Sequence, residues 1–367
     1  MSRTSRLLGY LEHDPGNLSL ICDAAAAAID EGDGDTAAAL FERHALLSPL
    51  PPAMLNLRGL TALRAGRFDE AAASFEALRA AGDDDPTLRL NLAWALTMRG
   101  DYEDALPLVD DEVTALGASG AGLKVRLLHH LDRPEDAMEC GAVFAQLYPA
   151  DEVLMGTLAN AALDADRPDL ARLYAERAGG HHDGLTTMGL LLLDDDRIGE
   201  SAALFDRILA ADAGNPRALL GKGLERMASG DTSDAARWLD RAAERFGDHL
   251  GTWVAAGWAH YILGDLSTAR LRFETALALN DTFAETQGGL AVIEMAEGNV
   301  EEARRRTEVA LRLDRASFGA ALATVMLLEQ DGKPEVAERV RQAAFNVPVG
   351  VGGKTLAQAL AARTRQD

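Results

Sequence analysis

The 367-residue sequence predicts an all-α fold, a solenoid of about ten helix-turn-helix hairpins, and three observations carry that prediction. First, small residues recur in one slot of the second helix, at Ala37, Ala71, Ala105, Ala137, Ala171, Ser201, Ala235, Ala269, Ala303 and Ala337. Seven of the nine intervals are 34 residues, and the other two are 32 and 30. A fixed period of this length marks a repeat array, in which each unit buries its apolar face only against its neighbours. Second, apolar residues fall at helical spacing on both sides of regular breaks. In residues 251–284, Trp253, Ala256, Gly257 and Tyr261 precede Gly264-Asp265, and Ala269, Phe273 and Ala276 follow it. Third, alanine supplies much of the apolar content, aromatics are only 5%, and the two-residue alternation of half-buried strands is scarce.

In chain order, the first element is a helix over residues 5–13, closed by Asp14, Pro15, Gly16 and Asn17, where proline cannot continue a helix. An alanine-rich helix over 18–29 comes next, then a turn at Gly32-Asp33 and a second helix carrying Ala37, Phe41 and Leu46. From there the pattern repeats. Phe41, Phe75, Phe205 and Phe273 stand one turn after the small residue and fill the space between hairpins. Asp33, Asp101, Asp231, Asp265 and Asn299 open second helices as N-caps, with Asn299 and Glu302 spaced as a capping box. Pro134, Pro168 and Pro334 occupy first-turn positions, where a missing N–H costs nothing.

The short intervals coincide with glycine-rich stretches at 117–122 and 179–184, read as flexible connections. The organisation expected is a capping helix over 1–17, repeats one to five over 18–180, repeats six to ten over 181–351, and a capping helix over 352–367. The terminal helices would cover outer apolar faces that have no neighbour.

The 34-residue hairpin resembles the tetratricopeptide repeat (TPR). Trp253, Ala256-Gly257, Ala269, Phe273 and Ala276 match its signature, and Leu55, Gly59, Ala71 and Phe75 match nearly as well. Pro15, Pro49 and Pro149 occupy its closing-proline slot, whereas Asp281 and Arg315 depart from it. The resemblance implies a right-handed α-solenoid of TPR-type hairpins and a role as a protein–protein interaction scaffold or adaptor. A second role it implies is a regulatory or substrate-recruiting subunit of a separate envelope-biogenesis or secretion enzyme. Some family members clamp a C-terminal carboxylate with lysine and asparagine; here the matching slots hold Asn56, Leu60, Leu90 and Asn91, without the lysines.

The net charge of −22 argues against nucleic acid, whose binding leans on Lys and Arg neutralising phosphates, and Arg304-Arg305-Arg306 is too short a run to reverse that. Two cysteines, Cys22 and Cys140, are too few for a disulfide framework. The first residues lack a signal-peptide core, and no run approaches the roughly 18 apolar residues of a membrane span. A cytoplasmic protein without membrane insertion is expected.

Catalytic and cofactor signals are weak. The stretch Pro348 to Thr355 approaches a phosphate-binding loop but has Pro348 for its first glycine and comes after a helix rather than a strand. Histidines are adjacent in His129-His130 and in His181-His182-Asp183; adjacent side chains on a helix point about 100° apart, a poor geometry for sharing a metal, and the second pair, in a loop, would chelate one only adventitiously. No catalytic residue, cofactor or metal is expected. By the repeat register, a peptide or helical segment of a partner would lie in a concave groove lined by the first helices. Its wall would comprise Leu224, Met227, Val254, Trp258, Tyr261, Val292 and Met295 toward the C-terminus, with Arg126, His129 and Asn160 in the centre and Asn91 and Trp94 toward the N-terminus.

Overall fold

In a computed structural model that describes residues 2–345, the chain is helical throughout and its helices pair into hairpins. A lone helix α1 (Arg3–His13) precedes α2 (Leu18–Asp30) with α3 (Gly34–Leu47) and α4 (Pro52–Arg64) with α5 (Phe68–Ala80). Then come α6 (Pro86–Arg99) with the broken pair α7 (Tyr102–Ala105) and α8 (Asp111–Ala115), and α9 (Ala118–His130) with α10 (Pro134–Leu147). The fifth and sixth hairpins are α11 (Glu152–Asp164) with α12 (Pro168–Arg177), and α13 (His182–Asp194) with α14 (Ile198–Ala211). The seventh and eighth are α15 (Pro216–Ala228) with α16 (Thr232–Phe246), and α17 (Leu250–Leu263) with α18 (Leu266–Leu279). Last are α19 (Ala284–Ala296) with α20 (Val300–Leu313), and α21 (Phe318–Gln330) with α22 (Pro334–Phe345). The expected capping helix over 352–367 and the glycine-rich stretch before it lie outside the described residues. The helices form two compact units that divide between Ala161 and Ala162.

The small-residue slot explains how each hairpin closes. Phe75 lies so close to Gly59 that a Cβ there would stand 2.6 Å from its ring. Phe205 rests on Gly189 of its own hairpin and Gly221 of the next, and Phe273 likewise on Gly257 and Gly289. Each of these three rings is fully buried. In the second unit, one phenylalanine thus joins two successive hairpins, which is the nearest-neighbour coupling of a solenoid.

Local chemistry fixes the ends. Asp33, Asp231 and Asp265 cap their helices by accepting the Thr36, Asp234 and Thr268 amides. Two expected caps are otherwise engaged. The Asp101 carboxylate meets Arg99 at 2.7 Å, and Asn299 donates to Glu294 Oε2 at 2.9 Å instead of closing a capping box with Glu302.

The two short repeats lose length in different places, and residues 118–122 and 182–184 of their glycine-rich stretches lie in the first helices α9 and α13. In the third hairpin Pro107 interrupts the helix with a 3-10 turn (Leu106–Leu108). In the fifth, α12 has ten residues where α14 has fourteen. The second helix of each of these repeats is succeeded by a first helix with glycine at its third position. A Cβ at Gly120 would stand 2.4 Å from the Val113 carbonyl oxygen, and one at Gly184 would stand 2.4 Å from Ala178 Cβ and 3.1 Å from the Ala175 carbonyl oxygen. The glycines admit a close approach inside regular helix rather than supplying looseness.

Candidate interaction face

The second unit does not present the open apolar wall expected from the register. Trp258 is 1% exposed and stands edge-on to Phe273, Tyr261 and Phe318, with ring centroids 5.2, 5.8 and 6.3 Å away. Val254, Tyr261, Val292 and Leu322 are buried in the same cluster, and Leu224 and Met227 are buried as well. Met295 alone of the expected C-terminal set is half-buried. The cause is close packing of consecutive first helices. A Cβ at Gly288 would stand 2.5 Å from the Ala320 backbone nitrogen, and one at Gly319 would stand 2.9 Å from Gly288 backbone. Helices α19 and α21 therefore approach backbone to backbone, and Val292 and Leu322 on them lie in the core cluster. Trp258, Tyr261, Val254, Leu224, Met227 and Val292, expected on an accessible wall, are thus buried in this structure.

Titratable groups in this unit are engaged in holding it together. Lys222 is buried between Asp206 at 2.7 Å and Glu225 at 3.1 Å. Burial works to raise the Asp240 carboxyl, but hydrogen bonds with His260 at 3.0 Å and Arg272 at 2.8 Å hold it below the usual range. The Glu285 carboxylate accepts the Phe318 and Gly319 amides and so caps α21 from the preceding first helix; burial pushes its pKa up.

The first unit differs. Trp94, Asn91, Arg126 and His129 are half-buried, Arg64 and His130 are exposed, and Met98 is 50% exposed. Asn160, expected beside them, is buried. Leu60, Trp94 and Arg126 occupy the same register position in α4, α6 and α9, as do Arg64, Met98 and His130 one turn further on. The Arg126 guanidinium lies over the Trp94 ring, 5.5 Å from its centroid, a cation–π contact. Tyr102 stacks flat on His130 with centroids 4.3 Å apart.

A compositional signal for this face is present in the sequence but not in its periodicity. Helices α4, α6 and α9 contain no Asp or Glu, in a chain holding 58 of them. Their cations divide into two groups. Arg89 meets Asp84, Asp110 and Glu112, Arg99 meets Asp69 and Asp101, Lys124 faces Asp111, and Arg58 donates to Ser74. Arg64 and Arg126 enter no ion pair among the described residues. The arrangement offers two cations, an indole and a thioether on one series of first helices, groups suited to binding.

No helix among the described residues is long and apolar enough to cross a membrane. A comparison with curated protein sequences finds no match. Among solved structures, a chain of the APC/C hetero-tetramer Cut9-Hcn1 is similar, with a TM-score of 0.61 and 15% identity over 94% of this chain and 76% of that one. A monomeric mutant of IFIT1 with Gppp-AAAA gives 0.57 and 11% over 89% and 90%, and the human IFIT1 dimer with m7Gppp-AAAA gives 0.57 and 14% over 87% and 82%. At these identities the likeness is one of fold. The family model of the tetratricopeptide repeat matches residues 22–86, 56–121, 186–251 and 254–318, together more than half of the sequence. Periodicity, paired helices, glycine-seated phenylalanines and this match agree: the chain belongs to the tetratricopeptide-repeat family.

Proposed function

We propose that this protein is a non-catalytic interaction scaffold whose working surface is the first-helix face of its second, third and fourth hairpins. Its ligand on this reading is an acidic segment of a protein partner that also carries apolar side chains. The observation supporting it is the absence of carboxylates from three consecutive first helices that expose Arg64, Met98 and the Arg126–Trp94 pair. Carboxylates of the segment would meet the two arginines, and its apolar side chains would cover Trp94, Leu60 and Met98. The overall charge of −22 does not oppose this at short range, because salt screens exposed charges beyond about 8 Å at physiological ionic strength. Where the partner is an enzyme, the scaffold takes the role of a recruiting or regulatory subunit.

The test is a titration of the full chain with three labelled peptides of one length and apolar pattern, bearing Glu, Gln or Lys at the polar positions, alongside a single-stranded RNA oligomer. The acidic peptide should bind most tightly, and Arg64→Glu with Arg126→Glu should weaken it at least tenfold, while circular dichroism stays unchanged because both side chains reach solvent. Preference for the Lys peptide or the RNA, or indifference to the double charge reversal, refutes the reading.

A further inference from the structure

We propose that His181, His182 and Asp183 form a binding site for a divalent transition-metal ion of the zinc class. The helical argument against adjacent histidines does not apply here, because only one of the pair is in a helix. His181 is the N-cap of α13, with an extended backbone at φ −64° and ψ 136°, whereas His182 is the first helical residue. The change of backbone conformation between them folds the first ring over the second. Their centroids are 4.1 Å apart and the planes tilt by 38°.

Asp183 completes the cluster. His181 Nδ1 lies 3.9 Å from one of its carboxylate oxygens, and His182 Nε2 lies 3.7 Å from the other. One donor atom from each residue falls within a common 4.8 Å. Zinc bonds of about 2.0–2.1 Å in tetrahedral geometry place ligand atoms roughly 3.3–3.4 Å from one another. The two measured pairs are thus wider by on the order of half an ångström, so coordination requires the two rings and the carboxylate to draw together. His181 Nδ1 accepts the Asp183 amide at 3.4 Å as the cap of α13, a bond that coordination through this atom would replace.

The chemistry of the donor set fits. Two imidazoles and one carboxylate are zinc-type ligands, and three of them leave a fourth position for water. The partial positive charge at the start of α13 opposes a cation, and the Asp183 carboxylate offsets it. His181 and Asp183 are largely buried, with side chains 16% and 17% exposed, while His182 at 54% leaves an entry path. The site comes just after the shortened α12, where Gly179 at φ 58° turns the chain. A bound ion would therefore tie the cap of α13 to its first turn at that junction.

Two measurements on the full chain test the site: calorimetric titration with Zn²⁺, and visible absorption on titration with Co²⁺, whose d–d bands report tetrahedral coordination. One equivalent should bind, and the thermal midpoint should rise with Zn²⁺ concentration as for any ligand of the native state. His182→Ala and Asp183→Asn should each weaken binding at least tenfold and abolish the thermal shift. His129→Ala should change neither. His182 is half-exposed and Asp183→Asn is isosteric, so circular dichroism should remain that of the parent chain. Absence of saturable uptake at about 1 mM Zn²⁺ overturns the proposal. So does uptake that both variants leave intact, which would mark adventitious surface binding.

Discussion

Replacing Trp258 by alanine tests the closed packing of the second unit most directly. The indole touches Phe273 of its own hairpin and Phe318, two hairpins further along. Burying a tryptophan removes roughly 150–250 Å² from water, which at about 25 cal/mol per Å² corresponds to roughly 4–6 kcal/mol. Partial collapse of the cavity recovers some of this, and buried Trp→Ala substitutions cost about 3–5 kcal/mol. We expect a loss of about 4 kcal/mol, falling on the last three hairpins, because each unit of a solenoid is stabilised mainly by its neighbours. Urea denaturation monitored by far-UV circular dichroism should show an early transition absent from the parent chain. Binding of the acidic peptide by the first unit should survive at low urea. A variant whose denaturation curve lies within about 1 kcal/mol of the parent refutes the core assignment and returns Trp258 to an accessible role.

Two further outcomes are expected from the same geometry. Gly184→Ala should destabilise the chain by about 1–3 kcal/mol, the usual range for overpacking, and adding Ala178→Gly should restore part of it by removing the nearer contact but not the Ala175 carbonyl; equal stability of the single variant and the parent in a thermal melt would contradict the close approach. Asp265, the cap of α18, has its pKa lowered to about 2 by hydrogen bonds from the Thr268 amide and the Thr268 and Ser267 hydroxyls. A carboxyl depressed in the folded state contributes stability that is full above its ordinary value near 3.8 and is lost as pH falls toward about 2, so Asp265→Asn should flatten the acid limb of the stability–pH profile in that window.

The architecture was legible in the sequence because its determinants are local. The small-residue slot marks hairpins at the intervals the structure shows, since a hairpin closes through residues within a single repeat, as with Gly257 and Phe273. Exposure was not legible in the same way. Whether Val292 faces solvent depends on how near α21 comes to α19, and that distance is set by Gly288 meeting Gly319 across hairpins. Register assigns a direction to a side chain, not the depth of the layer in front of it. The loop position of His181-His182-Asp183 was legible from the glycines around it, but the fold of one ring over the other was not, because it depends on the backbone torsion that makes His181 the cap of α13. The acid-free series was available from composition, but only once the helices had been grouped by the face they share.

The two shortened repeats answer different arithmetic. A helix advances about 100° per residue, so removing four residues rotates the downstream chain by only about 40° beyond a full turn. The fifth repeat, thirty residues from α11 to α13, is short by four, and its second helix runs unbroken with one turn fewer and its small residue Ala171 still buried. The third repeat, thirty-two residues from α6 to α9, is short by two in its connection: α7 to α8 spans fourteen residues, as α14 does, but only two residues rather than four lead on to the next first helix. There the chain breaks at Pro107 and restarts at Asp111, which returns Val113 to the core. The array thus loses length in two places: a whole turn is removed from a second helix in the fifth repeat, and two residues from the connection between hairpins in the third.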